Sequence, residues 1–122
     1  MPNPKPISKQ SKIVTNRLVK ALDSKFFKAL SDPTRLEILK QLLLLQRADI
    51  GAIAARCHVH RSVVSRHLAI MREAGIITME KEGRNSFYQL NAVEFIRRFE
   101  EVTSNACALA EVCCPWACID SE

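Results

Sequence analysis

Two groups of side chains in this sequence have the types and spacing for chemistry. Near the C-terminus, Cys113, Cys114 and Cys118 fall within six residues, with Cys107 six positions upstream. Three thiolates about one centre suit a soft, thiophilic ion, and trivalent arsenic prefers a pyramid of three sulfurs. Pro115 disfavours helical geometry at Cys114, so the segment 113–118 reads as a turn that could gather the three sulfurs. Adjacent cysteines are poor partners for a mutual disulfide because the ring is strained, yet they can share one large ion. The second group is Arg61, Ser62, Ser65, Arg66 and Arg72, all within one short stretch. Guanidinium and hydroxyl groups of this kind pair with phosphate oxygens, and arginine can take guanine through two parallel hydrogen bonds.

The elements that position the second group are two short helices joined by a tight turn, between Asp49 and Gly75. In the first, Ile50, Ile53 and Ala54 recur as one apolar stripe, and Asp49 is placed to cap its N-terminus. The turn covers Arg56 to His60, and the second helix runs from about Arg61 to Ala74 with Val64, Leu68 and Met71 inward. The arginines and serines fall largely outside that stripe. Gly75 then stands where a helix stop needs positive φ. A helix packed on its neighbour, with small polar and guanidinium groups near its N-terminus, is what a helix-turn-helix presents to a major groove. The bland alternative is a helical hairpin with a solvated face, so the flanking elements decide.

After Gly75 the period changes. Ile76, Ile77 and Met79 precede the turn signal Glu82-Gly83-Arg84-Asn85, and Phe87, Tyr88 and Leu90 follow it. The pattern predicts a two-stranded hairpin near 77–81 and 86–90, with Lys81 and Arg84 at a charged tip. A basic hairpin directly after a candidate recognition helix acts as a wing, able to touch phosphates or the neighbouring minor groove. Before the helix-turn-helix, a helix is expected from about Lys12 to Leu22 with Val14, Leu18 and Leu22 on one face. Ser24 can cap a short helix that turns Phe26, Phe27 and Leu30 inward. Asp32-Pro33 opens the helix to about Leu45, whose Leu36, Leu39, Leu42 and Leu43 should centre the core, with Leu44 and Leu45 suggesting cover on more than one side.

Composition narrows the function classes. The chain has 122 residues and a formal charge of +5, unevenly spread. Residues 1–91 hold 16 Lys and Arg against 7 Asp and Glu, whereas residues 92–122 hold 2 against 6. A basic body suits a polyanion, and the acidic end serves another purpose. No apolar run approaches the ~20 residues needed to span a bilayer. The N-terminal stretch MPNPKPISKQSK lacks the apolar core of a secretory signal. Five cysteines without an export signal then point to the cytoplasm, where thiols bind metals or sense redox state. The expected organisation is a mobile basic arm at 1–11, a DNA-binding and dimerisation domain at 12–106, and a cysteine-rich sensing tail at 107–122. No enzyme is expected, because the sequence offers no C-x-x-C and no strand-rich scaffold for a thiol oxidoreductase.

Three ordered blocks, LSDPTRLEILKQL (Leu30–Leu42), SVVSRHLAIMREAGII (Ser62–Ile77) and EGRNSFYQL (Glu82–Leu90), closely resemble the ArsR/SmtB family of bacterial winged-helix repressors. The resemblance covers about residues 24 to 102. It implies a mainly α fold with a small β-hairpin wing, a winged helix-turn-helix homodimer joined through its first and last helices. It also implies a repressor that leaves double-stranded operator DNA when an inducer, often a metal or metalloid, binds. Carried over residue by residue, the recognition positions fall on Arg61, Ser62, Val63, Ser65, Arg66 and His67, and the wing tip on Arg84. Val63 could meet a thymine methyl, whereas His67 could equally be a packed, hydrogen-bonded residue. His60 could cap the helix. Cys57, His58 and His60 form a C-H-x-H cluster, but one turn offers poor geometry for three ligands on one ion.

The inducer question rests on the C-terminal end. A long helix from about Ala92 carries Phe95, Phe99, Val102, Ala106 and Leu109 at the spacing of a packing seam, the dimer helix of the family. The family's ELCVCDL-like arsenic and cadmium motif would fall at about Gln46–Ile53, which holds no cysteine. Residues 92–122 contain no histidine, so a zinc-type site has no match. A four-cysteine zinc site including Cys107 lacks paired C-x2-C spacing. The expectation is therefore trivalent arsenic or antimony as inducer, held by Cys113, Cys114 and Cys118 with Cys107 a possible addition. The alternative is thiol-redox or persulfide sensing through Cys107 and a tail cysteine. No organic cofactor, no membrane and no protein partner beyond a second copy is implied.

Overall fold

The computed structural model of the chain describes residues 6–113. It divides into two compact units, Ser24–Arg97 and a second made of the residues up to Asp23 with those from Arg98 on. Among the described residues no helix is long and apolar enough to cross a membrane.

In the second unit, α1 (Lys9–Leu22) starts three residues before the expected Lys12, because the Ser8 side chain accepts from the Ser11 backbone N–H at 3.0 Å and caps it there. Val14 and Ala21 are buried and Leu18 is half-buried, but Leu22 is 47% exposed. The inward face thus runs 14, 18, 21, and Leu22, one residue on, is rotated about 100° away from it. The C-terminal half of α6 (Ala92–Cys113) completes this unit, with Val102 and Leu109 half-buried and Phe99 and Ala106 exposed.

The unit Ser24–Arg97 holds α2 (Lys25–Leu30), α3 (Pro33–Leu45), β1 (Ala48–Asp49), α4 (Ile50–Cys57), α5 (Arg61–Glu73), β2 (Ile77–Glu82), β3 (Asn85–Leu90) and the start of α6. Ser24 and Asp32 cap α2 and α3, accepting from the backbone N–H groups of Phe27 and Arg35. The bond from Arg35 holds the Asp32 carboxyl below the usual carboxylate range. Of the four leucines expected in the core, Leu39 and Leu42 are buried, whereas Leu36 and Leu43 are each 47% exposed and Ile38 is buried in their place. The reason is that α2, α4, α5 and β3 all pack on α3 along the stripe at 38, 39 and 42. Leu44 is exposed too, so within the described chain α3 is not covered on every apolar side. Beside that stripe, the buried Gln41 donates to Glu37 at 2.9 Å and accepts from Arg56 Nε at 2.7 Å, which satisfies both ends of its amide.

The end of α5 is stopped by paired backbone bonds. Gly75, at φ +85°, donates to Arg72 O, and Ile76 donates to Met71 O while both Ile76 and Met71 are fully buried. This Schellman arrangement turns the chain into β2 and needs glycine at its left-handed position. β2 and β3 pair antiparallel from Ile77↔Leu90 to Glu82↔Asn85, each one residue longer than expected. Gly83-Arg84 is left as a two-residue turn, with Gly83 at φ +63°. A third strand, β1, pairs with the outer edge of β3 through Ala48↔Tyr88 and Asp49↔Phe87, giving the order β1-β3-β2. Two residues are too few for any periodicity signal, and so this strand was invisible in the pattern.

Candidate nucleic-acid interface

The helix-turn-helix is assembled by caps. Asp49 accepts from the Ala52 N–H at 2.8 Å and starts α4; His58, in the left-handed region at φ +53°, ends it. His60 then caps α5, its Nδ1 accepting from the Ser62 N–H at 3.1 Å and lying 2.8 Å from Ser62 Oγ. Val64, Leu68 and Met71 are fully buried, which fixes the opposite face outward. On that face Arg61, Ser62, Ser65 and Arg66 are exposed, while Val63 is half-buried.

The wing lies against the start of this face. Together α4, α5 and the wing border an open cleft of about 410 Å³, lined by Ile50, Gly51, Arg61, Ser62, Ser65, Arg84, Asn85 and Ser86. Four of the expected site residues therefore share one cleft: Arg61, Ser62, Ser65 and Arg84. Val63, Arg66, His67 and Lys81 do not line it. Lys81 is exposed on β2. His67 is half-buried, with Nδ1 3.4 Å from Arg35 Nη1 of α3. Arginine only donates, so Nδ1 is the acceptor there. That contact is the packed arrangement the sequence left open for this histidine.

Asn85 is legible in the sequence only as part of the wing turn, and Gly51, Ser86 and Arg47 are not among the expected site residues. The Arg47 guanidinium stands 4.1 Å from the Phe87 ring centroid and its Nη2 donates to Glu82 Oε1 at 2.6 Å. It thus pins the wing from the α3–β1 connection. A cationic residue just before a strand carries no periodic signature, whereas a glycine in the first turn of a helix is a detectable oddity.

Cys113 ends α6 as described; Cys114 and Cys118 lie outside the described residues, and the three-sulfur arrangement with them. Among the described residues no group of three His, Cys, Asp or Glu side chains could hold a metal ion. The C-H-x-H cluster at Cys57 is accordingly not such a site. Cys57 is half-buried, and burial together with the nearby Glu37 carboxylate pushes its thiol up. Cys107 is exposed on α6. In a variant with Cys113, Cys114 and Cys118 replaced by Ser, iodoacetamide at neutral pH should alkylate Cys107 roughly tenfold or more faster than Cys57. Peptide mass mapping over time checks this; equal rates would mean that the Cys57 thiol is open to solvent.

The family described as "Bacterial regulatory protein, arsR family" matches residues 32–79, from the cap of α3 into β2. The arsenical resistance operon repressor of Bacillus subtilis (strain 168) is 36% identical over 88 residues, covering 72% of this chain and 75% of the repressor. The transcriptional repressor SdpR of the same organism is 39% identical over 67 residues, covering 53% of this chain and 71% of SdpR. The homodimeric winged helix-turn-helix DNA-binding domain of Mb0332 from Mycobacterium bovis, solved by NMR, shares the fold with a TM-score of 0.55 at 22% identity, over 84% of this chain and 90% of that domain. These relatives are transcriptional regulators, not enzymes. On its identity to the arsenical resistance operon repressor over three quarters of that repressor's length, and on the family match, the chain belongs to the ArsR/SmtB family of winged helix-turn-helix, DNA-binding transcriptional regulators.

Proposed function

We propose that this protein is a repressor that holds operator DNA as a homodimer and lets go when trivalent arsenic, antimony or a similar thiophilic ion binds its C-terminal cysteines. The observation that carries the DNA-binding half is the cleft that Arg61 and Arg84 line from two different elements beside three serines. In this reading Arg61, Ser62, Val63, Ser65, Arg66 and His67 serve the recognition helix, and Lys81 and Arg84 the wing. The two named repressors among the relatives support repression, one of them of an arsenical resistance operon. Dimerisation is supported by the apolar side chains left exposed on α1 (Ile13, Val19, Leu22) and α6 (Phe99, Val112), surface that a second copy would cover.

The sensing half rests on the sequence Cys113-Cys114-x3-Cys118. The sensing segment, residues 107–122, begins inside α6. Three thiolates closing on an ion at the end of that helix would restrain it. If the restrained end fits a dimer whose recognition helices depart from one-turn spacing, about 34–36 Å, the ion shifts the population away from the operator. Coupling of this kind is typically about 1–3 kcal/mol, or 5- to 150-fold in affinity.

The experiment follows the reduced protein on DNA from upstream of its own gene by fluorescence anisotropy. Arsenite, antimonite, cadmium, mercuric and zinc ions are titrated in turn, beside an oxidant and a persulfide donor. Arsenite or antimonite should weaken binding in wild type and leave a Cys113/Cys114/Cys118→Ser variant bound. Release by oxidant or persulfide alone, reversed by a reductant, would replace metalloid sensing by redox sensing through Cys107 and the tail. Loss of DNA binding in the ion-free variant would overturn the separation of sensing from operator binding.

A further inference from the structure

Gly51 is the second residue of α4, and it faces the recognition helix across the cleft. A methyl group built on its Cα would overlap Arg61 Nη2 and stand 3.2 Å from Cζ and 3.5 Å from Nε of the same guanidinium. The Arg61 side chain therefore lies back over the α4 backbone, occupying the space that any Cβ at position 51 would take. In that position it lines the same cleft as Arg84 from the wing turn, with the hydroxyls of Ser65 and Ser86 on the cleft walls. An arginine folded against the adjoining helix is not extended along the axis of a base-reading side chain. Two guanidinium groups with hydroxyls around a cleft are the donor set for a tetrahedral anion.

We infer that this cleft is a seat for one phosphate of the DNA backbone, and that Gly51 is a positioning residue for it, keeping Arg61 directed at phosphate rather than at base edges. The inference rests on the operator-binding reading and assigns the division of labour within it: Arg61 and Arg84 set the register of the protein on the duplex, and sequence is read elsewhere on α5. The clash created by a side chain at position 51 is with the far end of a flexible arginine, which can swing aside. Substitution there should thus displace Arg61 without disturbing the core.

The test compares wild type, Gly51→Ala, Arg61→Ala and the double variant on operator DNA and on a random duplex, over 50–200 mM salt. Gly51→Ala should leave the melting temperature unchanged or raise it, since alanine is the better helix former. It should weaken both DNAs by the same factor, on the order of five- to tenfold, and reduce the slope of log affinity against log salt by about 0.9 per protomer. In the Arg61→Ala background the same substitution should have no further effect. If wild type binds the operator and Gly51→Ala matches it in affinity and salt slope, the phosphate seat is overturned while operator binding stands. A loss confined to the operator would overturn it also, making Arg61 a base reader. Absence of binding by wild type to either DNA would sink the operator reading itself, and the seat with it.

Discussion

Phe26→Ala should cost about 3–5 kcal/mol of folding stability, the range for deleting a buried phenyl ring. Phe26 is fully buried in the core that also holds Ile38, Leu42 and Met71. Its ring meets Phe27 edge-on at 5.1 Å and Phe95, at the start of α6, at 5.6 Å. A helix of six residues, as α2 is, does not persist on its own in water. Burial of this side chain is what holds it, and through Phe95 it also anchors the first turns of α6. Against a total of about 5–15 kcal/mol for a domain, the loss leaves a marginal protein. Urea unfolding at one fixed protomer concentration reads it, because a dimer would otherwise shift the midpoint by mass action. Leu44→Ala, at a 61% exposed position, should change stability by no more than about 0.5 kcal/mol. A Phe26→Ala cost below about 1 kcal/mol would mean that α2 is not part of the cooperative core.

The same core shows where the sequence is legible and where it is not. Caps and stops are local chemistry: Ser24, Asp32-Pro33, Asp49 and Gly75 each act within a few residues, and each does in the fold what its type implies. The stripe Val64, Leu68, Met71 is equally plain, since most other residues of α5 are polar. α3 is different. Its run of leucines supplies apolar side chains on almost every face, so periodicity alone cannot choose between the set at 36, 39, 42 and 43 and the stripe at 38, 39 and 42. The choice is made by four neighbouring elements, which no local pattern encodes. Leu22 fails for a related reason: one residue past Ala21, the helix has turned off its buried face.

At the candidate interface, residue types pick out α5 and the hairpin but not how the side chains divide between them. Arg61 and Arg66 look interchangeable in sequence. Only the tertiary approach of α4 and the wing separates them, placing Arg61 over Gly51 in the cleft and leaving Arg66 off it. Likewise the sequence leaves His67 open between a DNA contact and a packed residue, and only the fold brings Arg35 of α3 to its ring.

That separation sets the largest functional effect expected of a single side chain. Arg66 is exposed on α5, four residues after Ser62 and so on the same side of the helix, and it lies outside the cleft. An extended guanidinium there can take guanine O6 and N7 together, a contact worth about 1–3 kcal/mol against the wrong base. With one such contact in each half of a dimer, Arg66→Ala should weaken operator binding by about 2–6 kcal/mol. Random duplex should lose far less, because there the side chain contributes only its charge. Arg66→Lys distinguishes the two roles: it retains the charge but cannot make the bidentate pair, so it should keep non-specific binding and still lose most of the operator preference. Anisotropy on both duplexes at one salt concentration gives the ratio directly. A lysine variant that binds the operator like wild type would reduce Arg66 to a phosphate contact, and the reading of sequence would then have to move to Ser62, Ser65 or the half-buried Val63.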